Sequence, residues 1–413
     1  MSIKFSLDFF RHSFSPQVLR KKLLQRKFQE ELFNWINTNL RPLEDRRKYL
    51  ELCQKEPFYV PDTKTINNIF HHLRRFTVLG KPGHDTGHLF RDFLSGSAIS
   101  GTDPYAAKAY PNDRTAAFFG AAYHDIGNSI TFRFQDYFWE CGHAEVGAWL
   151  FYHLTEKYLP EHIRLLTSYA IAAHTHLLNP VKTKVGYERP VWVDHLFESP
   201  EAHPVGVSIW ITRFADRLDT NGVTLLCRHI IASVEGSRQE GRNFSGSSWY
   251  EINKESVGLL LKPDTVLIGT SPSALKHLEN FAKSAKNITP YSQHDAKFPV
   301  MKDLMAYKVK QSEELIDIVK NQTGKPNFSK FRRFVAKMSL SPIIKSTLND
   351  VEKLWEELTP DEQSHWGPAF DYIEKSYIEW LEMLHTRIKQ SDSDLIKSVK
   401  PLITKIISEI SIS

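Results

Sequence analysis

Five short segments rich in histidine and aspartate, each at or near the end of a stretch that reads as helix, constrain this chain more than any bulk property. In order they are Gly83-His84-Asp85-Thr86-Gly87-His88, with Arg91 close behind, then Tyr123-His124-Asp125-Ile126-Gly127, His143-Ala144-Glu145-Val146-Gly147-Ala148, Ala173-His174-Thr175-His176 and Ala215-Asp216-Arg217-Leu218-Asp219. A neutral imidazole or a carboxylate offers one strong donor to a first-row divalent metal, at about 2.0–2.2 Å. His124 and Asp125 are adjacent, so on a helix they diverge by about 100°. Both can serve one cluster if the carboxylate bridges two cations. Taken together, His88, His124, Asp125, His143, His174 and Asp216 offer three donors per cation, which leaves positions for water and substrate. His174 and His176 point about 200° apart on a helix, so only His174 is assigned to the metals.

The helices that would carry these residues can be traced from start and stop signals. One begins near Asp85 or Thr86 and runs through Phe93. Asn112-Asp113 reads as the cap of a second, ending at Ile126 before Gly127; its Ala116, Ala117, Gly120 and Ala121 let a neighbouring helix approach. A third spans about 143–154, a fourth about 161–178 and a fifth about 205–220. The stretch Glu235–Ser248 reads as a loop or boundary. Thr359-Pro360-Asp361-Glu362 is a capping box that starts a long helix. Trp366, Phe370, Ile373, Tyr377, Trp380 and Leu384 mark one of its faces, which is core or an interface. Residues 1 to about 60 also read as helices, with a connection over 55–66. Strand signals are sparse, and the best candidate is the short stretch 264–268.

Composition narrows the function classes. Of 413 residues, 41% are hydrophobic and nine are Trp, enough for a sizeable core. The net charge of +5 permits an anionic substrate, and no nucleic-acid-binding motif is present. Cys53, Cys141 and Cys227 form no CxxC pair, which suits a reducing compartment. No window approaches the roughly 18 apolar residues that span a bilayer, and the N-terminus does not read as a secretory signal. The expected location is the cytoplasm. His71 and His72 read as residues of a packed or solvated helix face, and His153 lies on another face from His143.

Over about residues 80–220 the order of motifs resembles the HD superfamily of metal-dependent phosphohydrolases. His88 with Arg91 is similar to its opening element, His124-Asp125 to its diagnostic pair, His143 with Gly147-Ala148 to the third histidine element of its binuclear members, and Asp216 to its closing aspartate. The resemblance implies an all-α, HD-type helical bundle over 65–235, preceded by a helical segment at 1–64 and followed by a mainly helical domain at 236–413. It implies two divalent transition-metal ions, iron or manganese before magnesium, zinc, nickel or cobalt. It also implies hydrolysis of a phosphoester, a nucleotide or phosphodiester, by a metal-activated hydroxide. His84, four residues before His88, is the expected proton donor, and Arg91 braces a ligand carboxylate. Substrate contacts are expected from Lys108, Arg114, Asn128, His176 and Arg217. The chain departs from the family at Asn128, where many members carry Lys or His. The same ligand order is similar to the mixed-valent di-iron oxygenases of this fold, which is the alternative activity. A non-enzymatic helical interaction protein is the third reading, and the C-terminal helices are the expected surface for a protein partner or a homodimer.

Overall fold

A computed structural model of the protein describes residues 26–77, 83–128, 142–174, 204–240, 261–262, 274–286, 298–341 and 344–410. Among these residues the chain is all-α, with no strand. The strand candidate at 264–268 lies outside them. Three helices come first, α1 (Arg26–Asn39), α2 (Arg46–Cys53) and α3 (Thr63–Thr77). The histidine-bearing region contributes α4 (Thr86–Thr102), α5 (Pro111–Tyr123), α6 (His143–Leu154), α7 (Glu161–Ala173), α8 (Val207–Asp219) and α9 (Val223–Glu240). After it come α10 (Ala274–Lys286), α11 (Pro299–Asn321), α12 (Phe328–Ser339), α13 (Ile344–Glu356), α14 (Pro360–Gln390) and α15 (Asp394–Ile410).

Asp85 is the N-cap of α4, its carboxylate accepting from the backbone N–H groups of Gly87 and His88 at 3.1 and 3.3 Å. The helix does not stop at Phe93 but continues to Thr102. Ser95, Gly96 and Ser97 are buried inside it, so packing overrides their weak helix propensity. The expected Asn112-Asp113 cap of α5 is a second correction. Pro111 takes the first helical position, and the two polar side chains serve other elements. Asn112 donates to the carbonyls of Leu52, Cys53 and Lys55. Asp113 accepts from the Tyr49 hydroxyl at 2.7 Å and from the N–H groups of Val207 and Ser208 at 2.9 and 3.1 Å. It therefore satisfies the otherwise unpaired first turn of α8 from a neighbouring helix. That contact sets α8 in place, and α8 carries Asp216 and Asp219 in its last turn.

Helix α5 packs against α4, α7 and α8, with α6 lying on α7. The small residues of α5 allow close approach: a Cβ on Gly120 would stand 2.2 Å from Thr212 Oγ1 on α8. The fourth expected helix ends at Ala173 rather than 178, which makes His174 its C-cap. Helix α9 runs to Glu240, through the expected boundary at Glu235. The capping box at Thr359 is present, and all six residues of the aromatic face of α14 are buried. That face is core: α14 packs on α11 and across α4. One buried apolar cluster extends from Leu32 to Ile410, so helices of the N-terminal, histidine-bearing and C-terminal stretches share it. Among the described residues, no helix is long and apolar enough to cross a membrane.

Candidate metal centre

Helix ends bring the polar side chains together. His88 comes from the first turn of α4, and His124 and Asp125 from the turn that ends α5. His143 is the first residue of α6, His174 the cap of α7, and Asp216 lies in the last turn of α8. Gly127 lets the α5 turn meet α6: a Cβ there would stand 1.9 Å from the His143 carbonyl oxygen. Any side chain at 127 would push His143 away from Asp125.

The Asp125 carboxylate, 3% exposed, is the centre of the arrangement. Its Oδ2 lies 3.3 Å from His88 Nε2, 3.6 Å from His124 Nε2 and 2.7 Å from His84 Nδ1. Its Oδ1 lies 3.3 Å from His143 Nε2 and 3.6 Å from His174 Nε2, and those two nitrogens are 3.1 Å apart. Asp216 Oδ1 is 3.5 Å from His88 Nε2 and 3.9 Å from His124 Nε2. An ion with bonds of about 2.1 Å separates neighbouring donor atoms by roughly 3.0–3.4 Å. The spacings observed around His88, His124, His143 and His174 run from 3.1 to 3.9 Å, within about half an ångström of that scale.

The imidazoles are oriented from behind. A carbonyl can only accept, so His124 Nδ1 donates to Ala121 O (3.2 Å) and His174 Nδ1 to Ile171 O (2.5 Å). His88 Nδ1 donates to Asp219 Oδ2 at 2.8 Å. In the neutral form each ring then turns an Nε2 lone pair into the cluster, the arrangement found around metal-bound histidines. His124 Nε2 is buried and, among the described residues, has no hydrogen-bond partner. Burial pushes the His124 imidazole down to about 3. Burial and Arg228 also push on His88, but Asp92, Asp125 and Asp219 outweigh them and hold it up at about 10. These buried His and Asp groups could hold a metal ion.

Two groups in the centre were not singled out as site residues from the sequence, and a third had no role assigned. Asp92 is fully buried, with its Oδ2 3.2 Å from His88 Nε2 and 3.5 Å from His124 Nε2. The available signal was its place four residues after His88, on the same helix face. Arg228 donates from Nε to Gly83 O, and its Nη1 is 3.3 Å from Asp219 Oδ2. Its Nη2 lies 3.3 Å from His84 Nδ1 and 3.4 Å from His88 Nε2. No spacing signal pointed to it. Asp219 is the residue whose role was missing: it ties His88, Arg91 and Arg228 together.

The remaining expected site residues are placed as follows. His84 stands at the rim, its side chain 29% exposed. Arg91 does not face the cluster. It braces Asp219 through Nε and Nη2 and donates from Nη1 to Met338 O, a contact from the C-terminal part of the chain. The Ser339 hydroxyl likewise donates to Asp85. Arg114 lies at the opposite end of α5 from His124, about 15 Å away at 1.5 Å per residue, and Lys108 lies in a 3-10 turn (Ala106–Lys108) before that helix begins. Lys108 is exposed, and Arg114 donates to Ser393 Oγ and Ser100 O. Asn128 is buried beside the turn, with Nδ2 lacking a hydrogen-bond partner. Arg217 is half-buried and lies about 100° around α8 from Asp216. His176 lies outside the described residues. No family model, curated protein or solved structure matches this chain.

Proposed function

We propose that this chain is a metal-dependent phosphohydrolase of the HD type, with a nucleotide or phosphodiester as substrate. The observation that carries the reading is the Asp125 carboxylate, whose two oxygens face two different pairs of imidazoles. A carboxylate so placed suits a bridge between two cations. His88, His124, Asp125 and Asp216 would hold one, and Asp125, His143 and His174 the other. When bound, such a pair lowers the pKa of water and polarises a phosphoryl oxygen.

The chain's own groups support the rest of the chemistry. Asp92, Asp125, Asp216 and Asp219 outnumber Arg91 and Arg228 in the buried centre. Two divalent cations would reverse that excess of negative charge, so an anionic phosphate would meet a positive site. His84 sits at the solvent edge, hydrogen-bonded to Asp125, where an imidazole can deliver a proton to a leaving oxygen near neutral pH. Arg228, beside His84, supplies a fixed positive charge.

Metal analysis of purified protein beside His124→Ala and Asp125→Ala tests the reading, followed by a phosphoester panel with manganese and with iron. Both variants should lose metal and activity while keeping their helical content. Stoichiometric metal in both variants would refute the assignment. The di-iron oxygenase reading draws support from the neutral Asn128, where a phosphate-binding cation is absent. Oxygen consumption by iron-loaded protein that is inert towards every phosphoester would favour it.

A further inference from the structure

Asp92 is not explained by the six-residue ligand set. It is fully buried, and among the described residues neither carboxylate oxygen makes a hydrogen bond; its near charge is the His88 imidazole at 3.2 Å, which it shares with Asp125 and Asp219. A carboxylate buried against one shared imidazole is costly, and a bound cation would compensate it. Its Oδ2 is within 3.5 Å of the two imidazole nitrogens that Asp216 also approaches. The donor atoms of His88, Asp92, His124 and Asp216 all lie within 4.8 Å of one another. Asp125 Oδ2 approaches the same two imidazole nitrogens, at 3.3 and 3.6 Å. On the far side of Asp125, His143 and His174 complete a set of three.

Resting on the two-cation reading, we infer that Asp92 is a direct metal ligand, which makes the inner position a carboxylate-rich seat of at least four donors for a hard six-coordinate cation such as manganese or iron. The outer position keeps three protein donors. The two seats are then unequal. Three carboxylate oxygens favour hard cations, whereas zinc settles with four donors and prefers nitrogen and sulfur. An ion in the inner seat would have few positions left. The outer seat would keep several open positions, and His143 opens it to solvent, its side chain 30% exposed against 0% for His88, Asp92 and His124. The inner cation would therefore be retained, and the outer one would exchange and meet the substrate.

The test compares manganese-loaded wild type, Asp92→Asn and His143→Ala after dialysis against a weak chelator. Metal is counted by mass spectrometry, and affinities for manganese and zinc are measured by calorimetry. Circular dichroism checks the fold. Wild type should retain about one equivalent, and His143→Ala should retain it too. Asp92→Asn should lose it, with manganese affinity down about tenfold or more and zinc affinity down less. Asp92→Asn also removes the charge 3.2 Å from His88 Nε2, so a denaturation curve of the metal-free variant checks its fold, and Asp92→Ser provides a second replacement. Wild type that loads manganese while a folded Asp92 variant holds it equally well would overturn the role of Asp92 and leave the centre standing. Wild type that binds no metal would instead sink the two-cation reading itself.

Discussion

Replacing Asp219 by Asn changes one oxygen to an NH2 group, yet it should be among the most disruptive isosteric substitutions in this protein. Oδ1 accepts from Arg91 Nε at 2.7 Å, and Oδ2 accepts from Arg91 Nη2 at 2.9 Å, Arg228 Nη1 at 3.3 Å and His88 Nδ1 at 2.8 Å. Every partner is a donor. An amide that keeps its oxygen at the Oδ2 place must point its own N–H groups at Arg91 Nε–H. The substitution also removes the charge that offsets two buried guanidiniums, Arg91 being 1% exposed. Breaking a buried ion pair from one side costs about 3–5 kcal/mol. His88 is affected separately, because its Nδ1 partner directs Nε2 inward; loss of such a partner weakens metal binding about 10–100-fold. Urea denaturation of metal-free protein measures the first effect and metal competition the second. Arg91→Met should be strongly coupled: the double variant should be less destabilised than the sum of the singles by more than about 1 kcal/mol. If Asp219→Asn unfolds within about 1 kcal/mol of wild type and the two substitutions add, the bracing argument is wrong.

Lys308 on α11 is fully buried, donates to Thr224 Oγ1 at 3.1 Å and lies 4.5 Å from the centre of the Trp380 ring. Burial brings it down from 10.5 to about 7. Between pH 7 and 10 the unfolded chain thus holds a proton that the folded chain lacks, so this group makes stability rise with pH. Lys308→Met should stabilise most at pH 6, with the gain shrinking by roughly 1.4 kcal/mol per pH unit above 7; denaturation curves showing a pH-independent difference would refute this. Gly127→Ala should shift α6, cost about 1–3 kcal/mol through overpacking and lower the metal content, and an unchanged metal count would contradict the close contact with His143. Asp113→Ala leaves the Val207 and Ser208 N–H groups without their acceptor and Tyr49 with Ser208 Oγ alone, so a loss of about 2–3 kcal/mol is expected by denaturation; a loss under about 1 kcal/mol would count against that role.

Local signals made part of this molecule readable. The capping box at Thr359 involves residues three apart, and the apolar face from Trp366 to Leu384 follows one helical period, so both can be seen without the fold. The small residues of α5 and the glycine after His124-Asp125 likewise report local spacing, though not which helix comes close. Arg114 shows how a helix separates residues close in sequence: the same α5 that presents His124 at one end carries Arg114 at the other. Asp92 stands in the right register, but an aspartate within a helix ordinarily faces water, and only its burial between two imidazoles distinguishes it.

Unaided, the amino-acid sequence determined helical periodicity, several helix starts and the order of histidines and aspartates, because each depends on residues within a few positions of one another. The tertiary structure decided which of those groups meet. It alone brought Arg228 and Lys308 under the cluster and Ser339 onto Asp85, and it alone turned Arg91 outward to Asp219 and Met338. Such contacts join positions as much as 254 residues apart. They depend on how whole helices pack, which no short stretch of chain encodes.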